Sequence, residues 1–253
     1  MFAINRDSIE FRPRLRAGAM SQGLPSPGGF SLVELLVVIA IIAILIGIVS
    51  PLVPSLLNAN RIDSDVTTLS GILEEARETA TANNTYVWVA FTDAPAASPS
   101  TGLWVATIQS QDGTETGINT GSVTSPVWTV SITIPGTNLL LHSKLQNLPG
   151  VQIDATGAKV PASVLAKAPS SSPAYLQNSL QWTVTTLANT GIGSNVYFTH
   201  AIEFTPDGEA HVPTWNSNIQ FGIYPAVGTK GASTNYILYN VTRLTGKAAT
   251  FRM

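Results

Sequence analysis

The strongest pattern along the chain is an unbroken apolar run. Residues 30–49 read FSLVELLVVIAIIAILIGIV, with Glu34 the only charge. A helix of that length rises about 1.5 Å per residue and spans roughly 30 Å, the thickness of a bilayer core. The run therefore predicts a transmembrane helix over 30–50. It exceeds the roughly 7–15 apolar residues of a secretory signal peptide, and no small-residue cleavage site follows it. Ser50-Pro51-Leu52-Val53-Pro54 follows instead, and its two prolines predict a kink or local break.

Helical periodicity then resumes. Ile62, Val66, Leu69, Leu73, Ala76 and Ala80 recur at steps of three and four. Asp63, Asp65, Glu74, Glu75, Arg77 and Glu78 are assigned to the opposite face. This predicts an amphipathic continuation over 51–84, its apolar stripe against a folded head, with Asn83-Asn84 at its end. After Thr85 the period drops to two. Strands are predicted over 86–92, 103–109, 127–134, 180–187, 196–205, 219–224, 236–242 and 247–251. Stretches rich in Gly, Ser and Pro separate them, notably 93–101, 110–125, 167–173 and 188–195. A short helix is expected over 161–167. The sum is an α+β chain: one long N-terminal helix, half transmembrane and half amphipathic, packed on an antiparallel β-sheet head over 85–253.

Charge gives this plan a direction. Residues 1–29 carry Arg6, Arg12, Arg14 and Arg16 against Asp7 and Glu10, so +4 − 2 = +2. The remainder is then 9 basic against 13 acidic, or −4. A positive end before an apolar run places residues 1–29 in the cytoplasm and the head across the membrane. Only 11% of residues are charged, against roughly 25% in an average globular protein. With no cysteine, a disulfide framework and a thiolate metal site are both excluded.

No enzymatic motif is present. The three histidines, His142, His200 and His211, belong to no zinc-protease pattern, and no nucleophile elbow or P-loop occurs. His200 and His211 flank a predicted hairpin, where Glu203 or Glu209 would complete a metal site. Their expected place is on strands or loops, and no metal or cofactor is expected. Asp207, in Pro206-Asp207-Gly208, reads as a turn former. The acids at 154, 207 and 209 lack calcium-loop spacing.

One charge stands out inside the apolar run. A carboxylate within a transmembrane helix is costly and marks a functional position, although Glu34 lies near enough to the helix start to reach the headgroup level. Its context is Gly28-Gly29-Phe30-Ser31-Leu32-Val33-Glu34-Leu35-Leu36. This string resembles the class III signal of type IV pilins and type II secretion pseudopilins. The resemblance implies cleavage between Gly29 and Phe30 by a prepilin peptidase, with 1–29 removed as a cytoplasmic leader. It implies N-methylation of the new terminus, Phe30. It also implies that Glu34 pairs with the N-terminal amine of a neighbouring subunit during assembly. The implied partners are the peptidase, other pilin or pseudopilin subunits and an inner-membrane assembly platform. The implied location is a single-pass inner-membrane protein with a periplasmic head, later built into a pilus or pseudopilus. Two features depart from that family. No Lys or Arg directly precedes the glycine, and Met20 offers an alternative start with the leader MSQGLPSPGG.

The head carries weaker resemblances. Phe204-Thr205-Pro206-Asp207-Gly208, the final Val241-to-Lys247 turn and residues 145–153 (LQNLPGVQI) resemble the GspH/FimT family of minor pseudopilins. This implies a structural subunit of a type II secretion-like or type IV pilus filament, active in protein secretion or pilus assembly and not an enzyme. Two alternatives stay open. One is a DNA-uptake pilin that contacts DNA through Arg243, Lys247 and Arg252, with Tyr236 and Tyr239 nearby. The acidic mature region argues against nucleic-acid binding. The other is a major pilin or pseudopilin.

Overall fold

The computed structural model describes residues 29, 31–49, 53–93, 102–116, 118–121, 127–129, 131–136, 138–168, 174–176, 180–185, 195–213, 218–226 and 235–252. The chain divides into two compact units, Met1–Pro51 and Leu52–Met253.

The first unit contains helix α1, Leu32–Val49. Its 18 residues reach about 27 Å, just under the roughly 30 Å hydrocarbon core. Ser31 starts the helix as its cap rather than extending it. Among the described residues no helix is long and apolar enough to cross a membrane. The helix is apolar on every side, and Leu32, Leu35, Ile39, Ile42 and Ile46 are all exposed in the single chain. The expected continuity with the next helix falls at residues 50–52, outside the described residues.

The second unit opens with α2, Val53–Ala82. Pro54 lies in its first turn, where a missing N–H breaks no helical hydrogen bond. Asn84 closes the helix at φ 49, and Thr85 N donates to Ala80 O at 3.0 Å. That is a left-handed cap made by a residue type that tolerates it. The predicted stripe is buried, with Ile72 added. Asp65 corrects the predicted polar face. It sits between Ile62 and Leu69 in the stripe, is 7% exposed, and accepts the Gly150 N–H at 2.7 Å.

The strands are β1 Val87–Asp93, β2 Leu103–Ser110, β3 Ser131–Ile134, β4 Leu139–Leu141, β5 Gln146–Leu148, β6 Val151–Asp154, β7 Ala174–Tyr175, β8 Gln181–Thr185, β9 Asn195–Phe198, β10 His200–Phe204, β11 Ala210–His211, β12 Asn218–Pro225, β13 Ile237–Thr242 and β14 Ala248–Arg252, with a one-turn helix α3 at Ala162–Leu165. They form three sheets, not the single expected one. The first has the order β11-β10-β1-β2-β4, with β5 also on β2. The second runs β14-β13-β12-β6, with β7 parallel to β12. The third is β3-β8-β9, and β3 is parallel to β8. The predicted strand 196–205 is broken at Thr199, so β9 and β10 enter different sheets. The predicted strand 127–134 shortens to β3, with Trp128 held by a single bridge to Asn119.

Two cores result. The main one lies between α2 and the inner faces of the first two sheets, where Leu69, Leu73, Val89, Phe91, Phe204, Phe221 and Tyr239 meet. Tyr239 fixes the helix by donating to Val66 O at 2.8 Å. Burial pushes its phenol up to about 12, so it remains a neutral donor. The second core covers the other face of the first sheet. Trp88, Trp104 and Ile108 pack there against Trp182, Val184 and Phe198 of the third sheet. Each fully buried side chain of this size contributes roughly 1.5–3 kcal/mol. The predicted strands 127–134, 180–187 and 196–205 thus supply a packed layer. Residues 145–153 join the sheets: β5 pairs with β2 and β6 with β12, and Asp65 grips the Pro149-Gly150 turn between them.

Candidate functional site

The N-terminal site starts at Gly29, which is exposed. A Cβ placed there would meet nothing within 4 Å. The chain's own packing therefore imposes no glycine at this position. Phe30 lies outside the described residues. Beyond it, Ser31 and Glu34 form a reciprocal cap. Val33 N donates to Ser31 Oγ at 3.4 Å, and Ser31 N donates to Glu34 Oε2 at 3.1 Å. This S-x-x-E box satisfies two amides at the helix start and sets a negative charge against the positive end of the dipole. The sequence S-L-V-E carries that signal, and reading Glu34 only as an intramembrane charge overlooked it.

The C-terminal candidates sit on the β13–β14 hairpin. Its turn closes through Thr242 N to Lys247 O at 2.9 Å and Gly246 N to Thr242 O at 2.8 Å. Gly246 has φ 60 and lies so close to Gly208 O that a Cβ would come within 2.5 Å of it. The Pro206-Asp207-Gly208 turn and the last turn therefore pack on each other. Arg243 and Lys247 share this tip. Arg252 does not. It lies at the far end of β14, opposite Ile237, about 17 Å from Lys247 by strand rise. Its guanidinium pairs with Asp63 on α2 at 2.6 Å, and its carbonyl accepts Lys167 Nζ at 3.2 Å. Lys247 contributes to holding the Glu74 carboxyl below its ordinary value, after the larger effect of the Arg77 hydrogen bond.

The histidines are dispersed. His142 lies beside Gln109 and Glu75. His200 pairs in register with Phe91. His211 pairs with Glu203, so the facing His200–His211 arrangement does not form. Among the described residues no group of three or more His, Cys, Asp or Glu is placed to hold a metal ion.

Glu203 is the feature least expected from the sequence. It is 2% exposed and accepts Trp88 Nε1 at 2.8 Å. Burial pushes its carboxyl well above the usual range; His211 opposes the shift and Glu115 adds to it. His211 Nδ1 lies 3.6 Å from Glu203 Oε1, and its Nε2 lies 2.9 Å from Glu209 Oε2. Burial lowers the His211 value, but the two carboxylates outweigh it and leave it raised.

Residues 26–50 match the family described as the prokaryotic N-terminal methylation motif. The match covers 25 of 253 residues. No curated protein matches the chain, and no solved structure does. The chain therefore carries a type IV pilin-like signal for prepilin processing and N-methylation. The signal marks a membrane-anchored, pilus-type subunit that assembles with other subunits.

Proposed function

We propose that the chain is a structural subunit, of the minor pseudopilin kind, in a type II secretion-like or type IV pilus filament, with no catalysis of its own. The methylation motif at 26–50 carries this reading. Residues 1–29 are the leader, 30–50 the membrane and assembly helix, 51–84 its amphipathic continuation and 85–253 the periplasmic head. A peptidase cuts between Gly29 and Phe30, Phe30 is methylated, and the inner-membrane platform lifts the subunit into the filament. The open space around Gly29 supports recognition by an outside protease, because the fold itself makes no demand there.

Glu34 then has two tasks, a helix cap in the free chain and a partner for a neighbour's amine in the filament. Substitution separates them. Glu34→Gln keeps the capping box, which accepts Glu or Gln, and removes the charge. Both Glu34→Gln and Glu34→Ala should be cleaved normally yet enter filaments poorly in a sheared-fibre assay. Normal incorporation of Glu34→Gln would refute the charge-pair role. Gly29→Leu should accumulate as the uncleaved precursor on a gel, and normal processing would refute the cleavage assignment.

The DNA-uptake reading has less support. Arg252 is engaged by Asp63 and stands apart from Arg243 and Lys247.

A further inference from the structure

Across β1, β10 and β11, Trp88, Glu203 and His211 stand in one row, paired in register. Side chains alternate along a strand, so this row lies on the face covered by the second core. His200 and Phe204 lie on the other face. Trp88 supplies one neutral donor to the buried carboxylate. His211 presents one ring nitrogen to Glu203 and the other to Glu209. A neutral imidazole has only one N–H. With His211 neutral and both acids ionised, a lone pair would face a carboxylate. The arrangement is satisfied only when the group holds an extra proton.

The surroundings increase that demand. Glu115, from the segment after β2, acts on Glu203 as a like charge. It is also hydrogen-bonded to the Tyr86 phenol that precedes β1. Asp207, in the β10–β11 turn, adds negative charge near Tyr86. The third sheet contributes apolar Trp182 and Phe198 to this core. On the adjoining hairpin lies Arg243, whose carbonyl accepts Ala210 N at 2.7 Å.

We propose that Glu203, His211 and Glu209 form a proton-operated latch, which holds edge strand β11 and the 111–116 segment closed while the imidazole is protonated and releases them when it is not. β11 is only two residues long and sits at the end of its sheet. Few ladder hydrogen bonds therefore hold it, and Ala210 is its one residue in the main core. Loss of the proton leaves Glu203, Glu209 and Glu115 as neighbouring carboxylates around a neutral ring.

The test is amide hydrogen exchange on the full chain in detergent micelles at pH 5.5 and 8.5, corrected for the intrinsic rate. Peptides covering 203–212 and 110–119 should lose protection at the higher pH, by up to about tenfold per pH unit for one released proton. Peptides covering 218–225 and 237–242 should not change. Glu203→Gln should stay closed at both values. His211→Gln should be open at both, and adding Glu203→Gln to it should restore closure, which a simple loss of fold would not allow. Equal protection of the wild type at both pH values overturns the latch. So does unchanged pH dependence in Glu203→Gln, or a double variant that stays open.

Discussion

Replacing Gly222 with alanine should be among the most damaging single-methyl additions to the head. Gly222 lies mid-strand in β12, opposite Leu238 on one side and Asp154 on the other. The ring of Tyr236 rests directly over it. A Cβ there would overlap Tyr236 Oη and Cζ and come within 2.7 Å of Cε1. Tyr236 is fully buried and cannot swing into solvent without opening the sheet. Its Oη donates to Asp154 Oδ2 at 2.9 Å. Burial, then the Asp154 charge, pushes the phenol far above its ordinary value, so it acts as a donor at any working pH. Displacing the ring loses a hydrogen bond to a charged group, about 1.5–3 kcal/mol. Overpacking adds about 1–3 kcal/mol. The expected loss is therefore roughly 3–6 kcal/mol, a large share of the roughly 5–15 kcal/mol that holds a typical domain. Tyr236→Phe should cost only the hydrogen-bond part. The double variant should fall short of the sum by about that same part, because one bond is lost only once. Urea unfolding of the full chain in detergent, followed by tryptophan fluorescence, measures all three. A loss below about 1 kcal/mol for Gly222→Ala, or strict additivity, would refute the packing argument.

Asp65→Ala should destabilise the head by about 1–3 kcal/mol, because it leaves the buried Gly150 N–H without an acceptor. Asp65→Asn keeps an acceptor and should cost less in the same unfolding assay. Stability should also fall as pH rises from about 5 to 8.5. Glu203 and His211 are both raised in the folded chain. The stabilisation tied to their protons is complete below their unfolded values and is lost as pH climbs through the folded ones. A urea midpoint that rises across this window would contradict that sign. If the head contacts DNA through the hairpin tip alone, the log–log salt slope should be near about −1.8, for two phosphates. A slope near about −2.7 would bring in Arg252, and no binding at low salt would remove the DNA-uptake reading.

The long elements were legible because each repeats one signal many times. The stripe from Ile62 to Ala80 predicted α2 almost to its ends, and alternation located β1, β2, β8, β12 and β13. Three-residue strands such as β4 and β5 offer less than two periods, so no pattern marks them. Their pairing comes from long-range register on β2. The division into three sheets was hidden for a related reason. It depends on Thr199, where the chain changes partners without any lapse in β-forming residues, and on Pro149-Gly150, a turn signal that does not say which sheet each side joins. Asp65 was misassigned because charge was allowed to outweigh spacing. At three residues from Ile62 and four from Leu69, it lies on the buried face by geometry alone.

Glu203 shows the same conflict from the other side. In Ile202-Glu203-Phe204 a single exposed sheet face would put Glu203 in water, and alternation alone supports that. It is buried because a second layer, built from β3, β8 and β9, covers this face of the first sheet. Nothing local to Glu203 announces that layer. Its only local trace is the run of apolar positions in 180–184 and 196–198, which must pack on something. Once those residues close over Trp88, a carboxylate in the same row needs a proton or a cation, and His211 across the strand supplies it. The N-terminal signal is different in kind. Gly29, Ser31 and Glu34 lie within six residues of one another, so their chemistry is local and the sequence alone displays it. The methylation motif at 26–50 is local, whereas the burial of Glu203 emerges only from how the head's layers stack.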